Sequence, residues 1–254
     1  MEISFLGTGT SQGIPVIGCH CNVCISEDSK DKRLRASILI KKDETTVVVD
    51  IGPDFRQQML REQVEYLDAV LLTHEHSDHI AGLDDVRAFN FLQRKSMPVF
   101  GLARSLNGIK ERFDYIFQGN YPGLPQIELC PVSASAPFLV KDLEITPIQI
   151  LHGALPILGF RVGKVAYLTD FKYFHPDQCM DDLKNLDVLI ISALHHRTHH
   201  SHSTLDESIE VARQIGAKKT FFTHFSHYMG LHDDQQDKLP ANMFFAYDGL
   251  ILNI

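Results

Sequence analysis

The chain of 254 residues lacks tryptophan and lacks the segments that mark a membrane or secreted protein. It has no run of about 18 consecutive apolar residues, so we predict no transmembrane helix. Its first residues, Met1 to Gly7, contain no basic stretch followed by a long apolar segment, so we expect no signal peptide. From these absences we expect a cytoplasmic protein with no membrane partner.

Positive charge is also scarce. The sequence has 24 Lys and Arg residues against 32 Asp and Glu residues, which gives a formal charge of −8. Because nucleic acids are polyanions, this charge disfavours broad binding to them, and we expect no nucleic-acid partner. The hydrophobic content of 44% and the charged content of 22% are ordinary for a globular protein long enough to bury a substantial core.

Cysteine is infrequent and unevenly placed. The chain has 5 cysteines, an odd number, and Cys19, Cys21 and Cys24 lie within one short segment. Thiols crowded in this way indicate a metal site in a reducing compartment more than a disulfide framework. Histidine, by contrast, is abundant, with 14 copies.

Short apolar runs and helical patterns alternate along the chain. A helical pattern begins at Pro53, and another begins at Ser203, with Asp206 at the return position of a capping box and Gly216 as its stop. We interpret Asn120–Pro137, rich in Pro, Gly and small residues, as a surface excursion. Strands are predicted at Ile3–Leu6, Ser37–Ile40, Thr46–Val49, Ala69–Leu72, Val165–Leu168, Val188–Ile191 and Thr220–Phe222. This alternation, without a linker, favours a single layered α/β domain.

The most informative motif follows the apolar run Ala69–Leu72, where the chain reads Thr73-His74-Glu75-His76-Ser77-Asp78-His79. A buried strand that ends in such a cluster places several metal ligands on a rigid edge. Imidazole suits zinc, iron and nickel, and a carboxylate adds a hard oxygen ligand. The spacing allows His74 and His76 to converge on one ion, and Asp78 and His79 to turn towards a second. The alternative is a solvated polar loop.

The pattern His74-x-His76-x-Asp78-His79 resembles the signature of the metallo-β-lactamase superfamily. The resemblance implies an α/β fold, a four-layer αββα sandwich that forms a single domain over residues 1–254, with metals at one edge of its two sheets. It also implies further ligands, His152, Asp170 as a bridging carboxylate, and His224, each after a strand-like run. Asp50 is similar to the carboxylate that orients a ligating imidazole in this family.

A second metal site is indicated by Cys19-x-Cys21-x-x-Cys24, which lacks a fourth ligand for tetrahedral zinc. His20 is a poor fourth ligand because its side chain is expected to point away from its cysteine neighbours, whereas His227 follows His224 closely. The alternative is a set of reduced thiols and a solvated His227.

The arrangement is similar to the PhnP-like subgroup, the phosphoribosyl cyclic phosphodiesterases, and implies a structural zinc in a Cys-rich insertion around residues 18–35. The motifs that carry this resemblance are Gly7-x-Gly9, Gly18-Cys19-x-Cys21-x-x-Cys24 and Thr223-His224-x-Ser226-His227.

The segment from His195 to His202 is rich in histidine. Phosphodiesterases of this superfamily carry a general acid near this point, and His202 best matches its position. His200 is the fallback, and the choice among His199, His200 and His202 stays open. We interpret most of the other histidines of the segment as solvated.

The resemblance implies a metal-dependent phosphodiesterase that acts on small cyclic phosphates or nucleotides through a hydroxide activated by two divalent metals. Zinc or manganese is expected, with iron or nickel as alternatives, and Asp78 would both bind metal and steer the water. At the level of the family, a homodimer is expected.

Other functions remain open. An RNase Z-like tRNA 3′ endonuclease shares the core ligands but should carry a basic arm. Lactonases and thioester hydrolases share the fold but usually lack the Cys-rich zinc site. A non-enzymatic metal-binding module is the alternative from a different class.

Overall fold

The computed structural model describes residues 1–119 and 121–254, and the apolar runs of the sequence form its strands. Every run predicted as a strand coincides with one, to within two residues at either end. The strands are β1 (Glu2–Gly7), β2 (Ser37–Lys42), β3 (Thr45–Val49), β4 (Ala69–Leu71), β5 (Met97–Gly101), β6 (Ile127–Pro131), β7 (Phe138–Val140), β8 (Leu143–His152), β9 (Leu155–Val162), β10 (Val165–Leu168), β11 (Tyr173–Phe174), β12 (Val188–Ser192), β13 (Lys219–Thr223), β14 (Met243–Phe245) and β15 (Ile251–Asn253).

Helices separate many of these strands. They are α1 (Asn22–Ile25), α2 (Phe55–Arg61), α3 (Ser77–Ile80), α4 (Arg87–Gln93), α5 (Ala103–Arg112), α6 (Asp114–Gln118), α7 (Leu205–Ile215) and α8 (His232–Gln236). Short 3₁₀ turns occupy Ser29–Asp31, Leu83–Val86, Met180–Leu183 and His227–Met229. In the part of the chain that the structure describes, no helix combines the length and the apolar character needed to cross a bilayer.

The strands form two sheets. The first has the order β15-β1-β2-β3-β4-β5-β6, and the second has the order β11-β8-β9-β10-β12-β13-β14, with β7 beside β8. Strands β3 to β6 pair in parallel in the first sheet, and β10, β12, β13 and β14 do so in the second. Because parallel strands end at the same edge of a sheet, residues that follow β3 and β4, or β10 and β13, lie together.

Three apolar layers hold the sheets and helices together. The inner one packs Phe5 and Val47 of the first sheet against Phe160 and Ile190 of the second. The outer face of the first sheet is covered by α2, α4 and α5, and that of the second by α7. The result is a single-domain αββα sandwich, which confirms the predicted fold class.

The start of α7 differs from its prediction by one residue. The capping box consists of Thr204 and Glu207, not of Ser203 and Asp206. The backbone amide of Ser203 donates to the carbonyl of Phe171 at 2.9 Å, which holds Ser203 in the connection before the helix. Gly216 ends the helix with a positive φ of 69°, as predicted.

The segment Asn120–Pro137 is more ordered than the prediction of a surface excursion allowed. Its first residue, Asn120, lies outside the described residues, but β6 forms the edge of the first sheet, with Ile127 opposite Met97 of β5. Proline is tolerated here because Pro131 ends an edge strand.

We predict that Ile190→Ala lowers the free energy of unfolding by about 2–5 kcal/mol, because the side chain is fully buried between the sheets and its loss leaves a cavity. The matched control is Ile17→Ala, which removes the same atoms from a fully exposed side chain and should change stability by less than about 0.5 kcal/mol. Urea unfolding measures both. Equal losses in the two variants would contradict the assignment of this core.

Candidate metal centre

The side chains predicted to bind metal lie where strands of the two sheets end. In the first sheet, His74 and His76 follow β4, and α3 carries Asp78 and His79. In the second, His152 is the last residue of β8, and Asp170 and His224 follow β10 and β13. The structure brings all of these side chains together at one edge of the sandwich.

Three of the residues that follow strands have an unusual backbone conformation. Asp50, Asp170 and His224 have φ values of 63°, 53° and 62°, in the left-handed region that residues other than glycine seldom adopt. Such strain concentrates at functional sites, where packing imposes it. Here the backbone turns sharply after β3, β10 and β13, and the turns direct these side chains into the centre. No local sequence signal marks this conformation.

Asp170 occupies the middle of the cluster. Its Oδ2 atom lies 3.2 Å from Nε2 of His79 and 3.2 Å from Nε2 of His224. Its Oδ1 atom lies 4.0 Å from Nε2 of His152 and 3.7 Å from Nδ1 of His202. The carboxylate therefore faces imidazoles from both sheets, the position that a bridging ligand requires.

The potential ligand atoms form overlapping groups, two of which contain Asp170. Those of His74, His76 and His152 lie within 4.8 Å of one another, and those of Asp78, His79 and His224 do the same. Asp170 lies within the same distance of His74 and His79. The side chains at this edge are therefore spaced as metal ligands are.

Hydrogen bonds orient these imidazoles. His79 Nδ1 donates to Asp50 at 2.7 Å, and Asp50 also accepts from the backbone amide of Thr73 at 2.9 Å and from its hydroxyl at 2.8 Å. His152 Nδ1 donates to the carbonyl of Ser201 at 2.9 Å. Each bond leaves Nε2 directed at the centre. The motif alone did not indicate the contribution of Thr73.

The donor set fits divalent metals. In the described part of the chain, the buried atoms Nε2 of His79, Nε2 of His224 and Nδ1 of His202 have no hydrogen-bond partner. Burial lowers the pKa values of His74 and His224, which favours the neutral imidazole, the form that binds metal. Neutral imidazoles and carboxylates together suit zinc, manganese or iron.

The electrostatics of the centre favour a cation. Burial opposes a charge on His79, but Asp50, Asp170 and Asp78 outweigh it and hold the pKa of this imidazole well above its usual value. Burial likewise opposes ionisation of Asp170, but His224 and His79 hold the pKa of this carboxyl well below its usual value. The carboxylates thus stabilise positive charge where a metal would lie.

A second cluster joins the cysteines to the end of β13. Nδ1 of His227 lies 3.2 Å from Sγ of Cys19, 3.5 Å from Sγ of Cys21 and 3.4 Å from Sγ of Cys24. The four ligand atoms lie within 4.8 Å of one another, as tetrahedral zinc requires, whereas the exposed His20 is not part of the group.

The thiols of this cluster differ in acidity. Burial opposes ionisation of Cys21, but hydrogen bonds with the Cys24 backbone and with the side chains of Cys19, Cys24 and His227 lower the pKa of Cys21 to about 6. Burial raises the pKa of Cys24 to about 11, and the neighbouring thiols add to the rise. The cluster therefore already favours one thiolate, the form in which sulfur binds metal.

Of the candidate general acids, His202 lies nearest to the centre. Its ring centroid is 4.5 Å from that of His152, and the ring centroid of His199 is 5.1 Å from that of His202. His200 is exposed and contacts His199, with 4.4 Å between ring centroids. Burial lowers the pKa of His202 to about 2, so its imidazole is uncharged in the free protein at neutral pH.

Comparison with known proteins identifies the family. Residues 45–225 match the family model described as Beta-lactamase superfamily domain. The chain belongs to the metallo-β-lactamase superfamily. A solved structure described as a new diphosphatase from the PhnP family is 40% identical, with 99% of this chain and 96% of that chain covered and a TM-score of 0.91. It confirms the resemblance to the PhnP-like subgroup.

Two further relatives of this metallo-β-lactamase-fold protein limit which functions can be assigned to it by similarity. A protein of Porphyromonas gingivalis named octanoyltransferase is 43% identical over 98% of this chain but only 51% of its own length. The chain thus spans about half the length of the curated relatives it matches. Zinc-bound PqqB from Methylobacterium extorquens, 18% identical over the full length of both chains with a TM-score of 0.79, shows the shared fold.

We predict that Cys21→Ala removes about one zinc per chain and lowers the melting temperature, because one of the four ligands of the cysteine cluster is lost. Elemental analysis and thermal unfolding measure the two effects. Cys179→Ala, which removes an exposed cysteine outside this cluster, is the matched control and should change neither value. Full zinc content in Cys21→Ala would refute the structural zinc.

Proposed function

We propose that the protein is a dinuclear metal-dependent phosphodiesterase that cleaves a P–O bond in a small cyclic phosphate, nucleotide or diphosphate. The observation that carries this proposal is the position of Asp170 between two groups of ligand side chains, with His202 beside it. A PhnP-family relative described as a diphosphatase, 40% identical over nearly the whole of both chains, supports a phosphorylated substrate.

The proposed centre has a place for two divalent cations, zinc or manganese, with iron or nickel as alternatives. His74, His76 and His152 would hold one, Asp78, His79 and His224 the other, and Asp170 both. When bound, such ions lower the pKa of water to about 7 and neutralise charge on phosphoryl oxygens. Burial opposes ionisation of Asp78, but His79 lowers the pKa of this carboxyl, which keeps it ionised and able to orient an attacking water.

His202 is the proposed proton donor. The water releases a proton to solvent and its oxygen forms a bond to phosphorus, the bond from phosphorus to the leaving oxygen breaks, and His202 donates a proton to that oxygen. In the free protein, burial disfavours the charged imidazole, and Asp170 at 3.7 Å favours it. The negative charge of a bound phosphate adds to the effect of Asp170 and raises the pKa of His202 towards the range in which proton transfer is effective.

The alternative functions agree less well with the sequence and the site. For an RNase Z-like nuclease, the net charge of −8 opposes the capture of tRNA. For a non-enzymatic module, the complete ligand set argues against loss of catalysis. Hydrolysis of an ester or thioester is the second candidate, and the 43% identical relative named octanoyltransferase favours it. That name describes a protein about twice as long, so acyl transfer need not belong to the matching half.

The decisive experiment measures metal content per chain and hydrolysis on the same preparation. The substrates are bis-p-nitrophenyl phosphate, 2′,3′-cyclic nucleotides, a dinucleoside diphosphate and an octanoyl thioester. About three metals per chain together with cleavage of a phosphate substrate would support the proposal. Full metal content with cleavage of the thioester alone would contradict the phosphodiesterase proposal and support an ester or thioester hydrolase.

We predict that Asp170→Ala lowers kcat/KM by more than about 100-fold, because loss of a residue that only orients a ligand already costs about 10–100-fold. Asp177→Ala removes an exposed carboxylate outside the cluster and serves as the control. Circular dichroism checks that both variants fold. An active, folded Asp170→Ala protein would contradict a shared metal ligand at this position.

We also predict that His202→Ala slows the cleavage of an alkyl diester by about 10²–10⁴-fold, because an alkoxide needs a proton to depart. Cleavage of a p-nitrophenyl diester, whose leaving group needs no proton, should be slowed much less. His200→Ala, at the exposed position of the same segment, should leave both rates near those of the wild type. Equal losses on the two substrates in His202→Ala would exclude proton donation by this residue.

A further inference from the structure

Glu75 lies between His74 and His76 in the chain, and its side chain points away from the metal centre, towards α5. Its Oε2 atom accepts a hydrogen bond from the hydroxyl of the buried Ser105 at 2.8 Å, and its Oε1 atom accepts one from Nη1 of Arg104. Both donors belong to the first turn of α5. The loop that carries two ligand imidazoles is therefore attached to a helix through the residue between them.

The helix approaches Glu75 closely at Gly108. A Cβ atom at position 108 would lie 2.9 Å from both Cβ and Cγ of Glu75, closer than such atoms approach one another in folded proteins. The absence of a side chain at Gly108 therefore allows α5 to rest on the stem of Glu75. Packing and hydrogen bonds together fix the position of this side chain.

Arg104 also contacts the second sheet. Its Nη2 atom donates to the carbonyl of Pro156 at 2.8 Å, and Pro156 lies opposite Leu151, next to His152, in the hairpin of β8 and β9. The planar guanidinium donates in fixed directions, so it holds Glu75 at a set distance from this hairpin. Arg104 thus joins the loop that carries His74 and His76 to the hairpin that carries His152.

We propose that Arg104 and Glu75 are positioning residues that set His152 against His74 and His76, so that the three imidazoles converge on one cation. The inference rests on the dinuclear centre of the proposed function. Arg104 and Glu75 have side chains that are 40% and 20% exposed, so the ion pair itself adds little to stability. Its effect falls on the geometry of the ligands.

The test uses Co²⁺ as the probe and does not depend on activity. Affinity is measured by competition with a chelator, and ligand geometry by the visible absorption of bound Co²⁺. Arg104→Ala should weaken binding of one ion about 10–100-fold and shift the spectrum towards that of His152→Ala, which lacks a ligand of the same site. Arg104→Lys should bind Co²⁺ little better than Arg104→Ala, because an ammonium cannot donate to both acceptors in fixed directions.

Lys110→Ala is the matched control. It removes a positive charge from an exposed position of the same helix and should leave both affinity and spectrum unchanged. Glu75→Gln keeps an acceptor for Ser105 and should lose less Co²⁺ affinity than Arg104→Ala. It provides the test if Arg104→Ala does not fold.

Wild-type affinity and spectrum in folded Arg104→Ala or, if that variant does not fold, in Glu75→Gln would overturn the positioning role and leave the proposed function standing. A wild-type protein that binds Co²⁺ only at its thiolates, identified by their intense charge-transfer absorption, would overturn the dinuclear centre and the positioning role together.

Discussion

The Asp50 carboxylate is completely enclosed by the protein, and burial raises its pKa even though His79 and Thr73 favour the ionised form. It accepts hydrogen bonds from the Thr73 amide, from its hydroxyl and from His79 Nδ1. These bonds tie the end of β3 to the loop after β4 and to α3. Removal of His79 would leave the buried carboxylate without its imidazole partner, at a cost of about 3–5 kcal/mol, so the loop, the helix and the His79 imidazole are held as one unit.

The second sheet meets this unit through Asp170, whose carboxylate faces His79 from the opposite side at 3.2 Å. The resulting arrangement of buried carboxylates and imidazoles leaves imidazole nitrogens without hydrogen-bond partners, which a stable fold ordinarily avoids. The left-handed backbone at Asp50, Asp170 and His224 adds conformational cost at the same place. The large apolar core between the sheets offsets these costs, and a bound cation would satisfy the unpaired atoms.

The sequence predicted seven of the strands that the structure describes, and the first candidate ligands, because these depend on local pattern. Ala69–Leu71 is a buried apolar run, and the histidines that follow it are adjacent in the chain. His152, Asp170 and His224 follow strand-like runs but belong to no local motif, and they were predicted through the family resemblance. The sheet edge at Ile127–Pro131 was missed because an edge strand is only partly buried and lacks a strong apolar period. The link from Glu75 through Arg104 to Pro156 joins distant residues, so no pattern in the sequence could indicate it.

The proposed thiolate site and the proposed dinuclear centre share one short segment after β13. His224 points into the centre, His227 contacts the thiols of the cysteine cluster, and the buried Phe225 lies between them. The amide of Phe225 donates to the carbonyl of Thr8, and its carbonyl accepts from the amide of Thr10, so the amino-terminal loop holds the segment from the other side. A metal bound to the cysteines would also bind His227. It would thereby restrict the motion of the short segment that carries His224. The cysteine site would then act on catalysis through the position of a ligand, without contact with substrate.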